Sequence, residues 1–332
     1  MAMKAIRIEQ FCSASDLAVR EVPVATPGAD EVLVRTVAIG VNFVDTQHRA
    51  GQPYPTELPL TLGIEAAGEV VAVGAAVQEL AVGQPVAVAG PMIGAYAEYF
   101  VCPARLIVPL PAGTTYQQAA ALLLQGMTAE ALSHQAHAIG ADDTVLVQAA
   151  AGGVGLLLTQ IAKMRGATVI GTCSTEAKAQ AVRAAGGDYT VRYTECDLTE
   201  AVMEITDGRG VNVVFDAVGR ATFDAGIEVL CDGGHMVVYG LASGPVPPFD
   251  INRLSGIGTA SGRGCLSLTW ASLSTYNADR TAMVRRATMV LDWARTGRLS
   301  ATIAATFRLD RAADAHLLLE QRGSIGKVLL QP

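Results

Sequence analysis

Between Asp143 and Gly166 the chain runs from an apolar segment, TVLVQ, through AAAGGVG into LLLTQIAKMRG. A β-branched strand, a cluster of small residues and an amphipathic helix in that order leave few folds open. Gly152 and Gly155 hold the second and third positions of a G-x-G-x-x-G turn, with Ala150 at the first. The second glycine lets backbone approach a pyrophosphate, and the third lets the helix pack close to its strand. A helix beginning near Val154 points free N–H groups and its positive dipole end at bound phosphate. Alanine fits the first position if that turn residue does not need a positive φ. Ala150, Gly152, Gly153, Val154 and Gly155 are therefore expected to cradle a dinucleotide. The plainer alternative is a tight strand-to-helix turn with no ligand.

The segments that follow keep this rhythm. TVIGTC, DYTVRY, VNVVFDAVG and HMVVYG are short β-branched runs separated by helical stretches such as TEAKAQAVRAAGG. Apolar runs without alternation belong to strands covered on both faces, hence to a parallel sheet between helical layers. Before about residue 120 the pattern differs: alternating runs such as EVLVRTVAIG and GEVVAVG, punctuated by Gly and Pro, read as a small antiparallel barrel. TYQQAAALLLQGMTAEALSHQAHAIG reads as helical, with Gly140 as its stop. The tail from about Gly264 returns to mixed helix and strand, with GKVLLQP as a closing strand.

What stands some twenty residues beyond the glycine turn bears on the cofactor. A site for the unphosphorylated coenzyme places Asp or Glu there, on the ribose hydroxyls. Here the strand ends in Cys173 and Ser174, so no carboxylate repels a 2′-phosphate. Ser174 and Thr175 can donate hydrogen bonds, and Lys178, one helical turn on, brings a charge. Tyr193, at the end of the next strand, closes the expected pocket. Glu176 is an acid of the helix N-terminus expected to point elsewhere. The reading is NADPH over NADH, the alternative for Lys178 being a solvated helix lysine.

Bulk properties exclude several classes. The net charge of -7, with no basic stripe, argues against a nucleic-acid partner. No apolar run reaches the ~18–20 residues of a membrane span. MAMKAIRIEQ lacks the apolar core of a signal peptide, so a cytoplasmic protein is expected. The six cysteines are scattered, with no C-x-x-C among them, which removes the commonest zinc framework.

Taken together, GVNFVDTQHRAG, PLTLGIEAAGEVVAVG, LLLQGMTA, QAAAGGVG, GTCSTEAKAQ, VFDAVG and GKVLLQP make the chain resemble the zinc-free quinone oxidoreductases, the ζ-crystallin-like group of the medium-chain dehydrogenase/reductase superfamily. The resemblance implies an α/β protein: a GroES-like β-barrel substrate domain (residues 1–122 with 264–332) and a Rossmann domain with a doubly wound parallel sheet (residues 123–263). It places the active site in the cleft between them. Where zinc members read Gly-His-Glu, this chain has Gly63-Ile64-Glu65, and isoleucine ligates no metal. Asn42 and Asp45 stand where a ligand cysteine is expected. Without Lewis-acid help the chemistry narrows to hydride transfer onto an electron-poor acceptor, a quinone or an α,β-unsaturated carbonyl.

By the same resemblance Asn42 lies beside the nicotinamide and the acceptor, and Thr128 contacts the cofactor. Val218, Gly219, Tyr239 and Gly240 border its two halves, and Arg263 lines the cleft. Bacterial members carry an aromatic where this chain has Gln47, so the aromatic wall for a quinone is thinned. Gln47, His48 and Tyr54 are the remaining catalytic candidates, His48 or Tyr54 as proton donor to an enolate. Two further readings stay open: an NADPH-binding sensor or crystallin-like protein without turnover, and a zinc-free enoyl-thioester reductase, which Gln47 and Gln125 keep in view. A homodimer joined through Rossmann edge strands is expected.

Overall fold

The computed structural model describes residues 1–54, 56–91 and 94–332, and its chain divides into two compact units: Met1–Met127 with Asn277–Pro332, and Thr128–Tyr276. The first unit opens with β1 (Ala2–Ile8), β2 (Val19–Pro23), β3 (Glu31–Val41) and α1 (Phe43–Ala50). There follow β4 (Leu60–Thr61), β5 (Glu65–Val73), β6 (Pro85–Ala89), β7 (Tyr99–Pro103), β8 (Ile107–Pro109) and α2 (Tyr116–Ala131), within which the division between units falls. After the second unit the chain returns to this one with α8 (Arg280–Arg295), β15 (Ile303–Arg308), α9 (Ala312–Glu320) and β16 (Lys327–Gln331), the numbers between belonging to the second unit. Among the described residues, its main sheet runs β15-β16-β3-β5-β6-β8, with β7 also on β3. The closing strand β16 lies antiparallel to β3 and seats Val328 opposite Val41. Alternation in EVLVRTVAIG buries Val32 and Val34 completely, as a barrel wall requires, and past an irregularity at Thr36–Ala38 the strand buries Ile39 as well.

The second unit carries β9 (Thr144–Val147), α3 (Gly153–Met164), β10 (Thr168–Cys173), α4 (Glu176–Ala184), β11 (Tyr189–Arg192), α5 (Leu198–Ile205), β12 (Val211–Asp216), α6 (Phe223–Glu228), β13 (Leu230–Val238), β14 (Ser267–Trp270) and α7 (Leu273–Tyr276). Its strand order is β11-β10-β9-β12-β13-β14, every pair parallel. The first strand is central and the order reverses beside it, between β9 and β12. In such sheets ligands sit beyond the carboxyl ends of the strands at that reversal. Val145, Leu146 and Val147 are wholly buried, as the unalternating run TVLVQ implies.

Two differences from the sequence reading stand out. Residues 264–276 were expected with the barrel, but β14 pairs with β13 from Ser267 to Trp270 and so extends the Rossmann sheet. SLTW is too short and too polar to announce a strand by periodicity. The helix expected up to Gly140 ends as a regular α-helix at Ala131 and continues as one wider turn over Leu132–Ala136. Among the described residues no helix is long and apolar enough to cross a membrane.

Candidate active site

The carboxyl edge of the second unit's sheet collects most of the residues expected to touch a dinucleotide. Ala150 follows β9, Ser174 follows β10, Tyr193 follows β11, Val218 and Gly219 follow β12, and Tyr239 and Gly240 follow β13. At the glycine turn the left-handed residue is Ala149, at φ 52°, not Ala150, which explains why alanine is accepted at the first fingerprint position. Ala150 N donates to Thr172 O at 3.0 Å and Gly152 N to Ala149 O at 2.9 Å, which closes the turn. Gly152 is the N-cap of α3, which begins at Gly153. A Cβ on Gly155 would lie 2.6 Å from Ala149 O and 2.7 Å from Ala150 Cα, so the helix packs on its strand only because that residue has no side chain. Gln148 Oε1 accepts from the Thr172 hydroxyl at 2.7 Å, while its buried Nε2 has no partner. An orphaned donor beside a helix N-terminus is chemistry that suits an anionic ligand.

At the end of β10 the Lys178 ammonium lies 3.3 Å from Ser174 Oγ, and Thr175 caps α4 by accepting from Lys178 N at 3.3 Å. Tyr193 N donates to Cys173 O at 3.2 Å, which ties the half-exposed tyrosine to the same corner. Glu176 is committed to Arg183 and to Arg192, so its charge is offset. A hydroxyl, an ammonium and an aromatic rim, with no free carboxylate, fit a phosphate monoester. On β12, Asp216 is wholly buried and accepts from Val218 N at 2.6 Å and Gly219 N at 3.1 Å, which fixes that turn. Burial pushes the Asp216 carboxyl up. Arg263 is a correction. Its guanidinium donates to Gly208 O at 2.5 Å, just before β12, at the amino edge of the sheet and away from the glycine turn. No local pattern announces this contact, because Arg263 meets Gly208 only through the fold.

In the first unit, Asn42 is the N-cap of α1 and nearly buried, at 5% exposure. Its Oδ1 accepts from Lys327 Nζ at 2.7 Å and Gln125 Nε2 at 3.3 Å. Its Nδ2 donates to Glu65 Oε2 at 2.9 Å and to Gly40 O at 3.2 Å. Because an ammonium only donates, the orientation of this amide is fixed, and all of its hydrogen-bonding positions are filled. The sequence reading expected that amide to face a ligand; here it braces Gln125 and Glu65. Lys327 also pairs with Glu65 at 2.6 Å, and Glu65 Oε1 accepts from Leu124 N at 2.7 Å. The zinc-ligand position holds the buried Ile64, and both oxygens of the neighbouring carboxylate are engaged, a donor set that does not fit a metal.

Around this core three buried atoms have unmet capacity: Gln125 Oε1, His48 Nδ1 and Asp45 Oδ1. His48 and Tyr54 meet edge-on, with ring centroids 6.4 Å apart. Burial pushes the His48 imidazole down and the Tyr54 phenol up, so both stay neutral near pH 7. Gln47 lies on α1 beside His48. Asp45, on the same helix, accepts from Asn42 N at 2.8 Å and Tyr96 OH at 3.1 Å. Tyr96 in turn meets His316 Nε2 at 3.1 Å, and His316 Nδ1 meets Arg49 Nη1 at 3.1 Å. Sequence reasoning missed Lys327, Glu65, Tyr96, His316 and Arg49. The available signal was a charge at the head of an apolar strand, in KVLL and in EAAGEV, since a buried charge demands a partner.

Comparison with known proteins decides the family. Residues 28–112 match the alcohol dehydrogenase GroES-like domain, and residues 153–281 match the family described as zinc-binding dehydrogenase. The chain is 39% identical over 317 residues to a 2-haloacrylate reductase from Burkholderia sp, covering 94% of each. It is 37% identical over 310 residues to quinone oxidoreductase 1 of Escherichia coli K12, covering 93% of each. The chain belongs to the quinone oxidoreductase group of the medium-chain dehydrogenase/reductase superfamily. The solved Escherichia coli quinone oxidoreductase complexed with NADPH superposes with a TM-score of 0.94 at 36% identity, over 99% of this chain and all of that one. The α/β architecture expected from the sequence, a GroES-like barrel with a Rossmann sheet, is the architecture found.

Proposed function

We propose that this protein is an NADPH-dependent reductase that passes a hydride to a quinone or an α,β-unsaturated carbonyl without a metal. The observation that carries the reading is the Lys178–Ser174 corner at the carboxyl end of β10, where a cation and a hydroxyl stand in place of a ribose-binding acid. Ala150, Gly152, Gly153, Val154 and Gly155 receive the pyrophosphate, Ser174, Lys178 and Tyr193 the 2′-phosphate, and Val218, Gly219, Tyr239 and Gly240 border the rest, with Thr128 completing the set. NADPH, when bound, supplies the hydride from C4 of its nicotinamide. The acceptor takes the hydride at an electron-poor carbon, and the electron pair of the broken double bond moves to its oxygen. The resulting enolate or quinol oxygen takes a proton from Tyr54 or water, with the neutral His48 able only to hydrogen-bond to it. Gln125 and His48, whose buried polar atoms lack partners, orient the acceptor, with Gln47 beside them and Asn42 holding Gln125 in place.

Independence from zinc is supported by Ile64 and by the saturation of Glu65. The relatives carry names that span quinones and halogenated acrylates, both conjugated acceptors. A homodimer is supported by the open edge strand β14, whose Leu268 and Trp270 are 39% and 52% exposed. A cytoplasmic setting agrees with the six free cysteines. Absorbance of the reduced nicotinamide, followed with 1,4-quinones, 1,2-quinones and α,β-enones, tests the activity. Turnover that survives exhaustive chelation is expected; binding of NADPH with no acceptor consumed would leave a sensor instead.

A further inference from the structure

We infer that Asp45, backed by Tyr96, His316 and Arg49, is a positioning residue for the reduction, its ionised carboxylate holding the first turn of α1 and the side chains this helix presents. The inference rests on the reductase reading for its kinetic consequence and on geometry for the rest. Asp45 is the N3 residue of a capping box whose N-cap is Asn42, and the box is wholly buried on the aspartate side. Oδ2 takes both the Asn42 N–H and the Tyr96 hydroxyl, while Oδ1 has no partner.

The order of donors along the chain is fixed by chemistry. Arg49 only donates, so His316 Nδ1 accepts from it and Nε2 carries the ring hydrogen. That N–H is then given to Tyr96 O, and the Tyr96 hydroxyl gives its own hydrogen to Asp45. Arg49 is anchored to Glu320 at 2.5 Å and to Cys12 O at 3.1 Å. Every bond in the line therefore points at the carboxylate, and charge-assisted bonds are about twice as strong as neutral ones. The charged and titratable groups around Asp45 are Tyr96 from the segment before β7, Lys327 on β16, Glu65 on β5, and beyond Tyr96 the pair His316 and Glu320 on α9 with Arg49 on α1. Burial outweighs the favourable Asn42 N–H and Lys327 charge and pushes the Asp45 carboxyl up to about 7. Protonation removes the charge from both Oδ2 bonds and puts a hydrogen on an oxygen with no acceptor. The N-terminal turn of α1, which carries Asn42, and the following turn with Gln47 and His48 then lose their anchor.

The test compares wild type, Asp45→Asn and Tyr96→Phe. With NADPH and 1,4-benzoquinone, wild-type kcat/KM is expected to rise with pH through a break near neutrality. Asp45→Asn, whose amide oxygen still accepts the Asn42 N–H, loses that acidic limb. Tyr96→Phe deletes one hydroxyl while keeping the ring, and moves the break upward by about half a pH unit or more. A His48→Gln control keeps the limb. Independently of turnover, the infrared band of a protonated carboxyl should disappear across the same pH range in wild type and be absent from Asp45→Asn. If no quinone is reduced at any pH but the band titrates near neutrality, the reductase reading fails and the Asp45 assignment stands. An unchanged acidic limb in Asp45→Asn, or a band that vanishes in the ordinary carboxylic acid range, overturns the inference.

Discussion

The Glu65 carboxylate and the Lys327 ammonium lie 2.6 Å apart with side-chain exposures of 0% and 1%. Neither charge is hydrated, so each depends on the other and on Asn42, which bonds to both. Removing one partner strands the other, at a typical cost of about 3–5 kcal/mol. Lys327→Met is expected to lower unfolding free energy by that amount in urea titrations at neutral pH. Combining it with Glu65→Gln should recover most of the loss, because the stranded charge is then gone. Additive losses in the double variant would show that the two groups do not act as a pair.

Lys178→Ala is expected to weaken NADPH much more than NADH. One charge-assisted contact to a phosphate contributes roughly 1.5–3 kcal/mol, which corresponds to about a ten- to hundredfold rise in Kd. Fluorescence titration with both coenzymes measures the ratio. Equal weakening would remove Lys178 from the phosphate corner.

The buried His316 gives stability a pH dependence of known sign. Burial, with the Arg49 charge beside it, pushes its imidazole down to about 3, against an unfolded value of roughly 6.5. A base depressed on folding contributes stability that is whole above the unfolded pKa and is lost as pH falls towards the folded one. Asp45 works the other way, its carboxyl being raised to about 7. Although the ionised form is the one that fastens α1, the burial of that charge costs overall stability, which is whole below roughly 3.9 and falls as pH rises through 7. The two slopes oppose each other between about pH 4 and 6.5, each at most about 1.4 kcal/mol per pH unit. The stability difference between wild type and His316→Gln should therefore shrink steadily as pH is lowered from 6.5 to 4.5. A difference that holds constant over that range contradicts a buried neutral histidine.

β14 offers unpaired backbone groups together with an exposed tryptophan. An edge strand left in this state is a template for pairing with another copy. Sedimentation should give a dimer for wild type and a monomer for Trp270→Lys combined with Leu268→Pro, since proline removes a ladder donor. A monomeric wild type, or a dimer that survives both changes, would place the contact elsewhere.

Local patterns made the Rossmann half legible. TVLVQ, the Gly152–Gly155 turn and the helix behind it are adjacent in sequence, and the absence of an acid after Cys173 could be read directly. The polar core of the first unit could not be read that way. Asn42 and Lys327 are 285 positions apart, and Arg49 and His316 are 267 apart, so only the antiparallel seating of β16 on β3 and the packing of α9 bring them together. Asn42 was singled out by resemblance, but its partners Lys327, Gln125 and Glu65 are ones that no spacing announces. Arg263 misled for the same reason, its carbonyl partner lying in a corner that only the folded sheet creates.

The seating of β16 also bears on how the molecule is made. During synthesis Glu65 leaves the ribosome more than two hundred residues ahead of Lys327, the ammonium that neutralises it in the finished barrel. Until that late strand docks, the barrel wall holds an acid whose burial has no compensating charge, so its early strands are expected to stay partly hydrated while the nucleotide-binding sheet is translated. Closure of the barrel thus follows translation of the whole nucleotide-binding sheet, and nascent chains halted before residue 327 are expected to hold the Glu65 carboxylate without its ammonium.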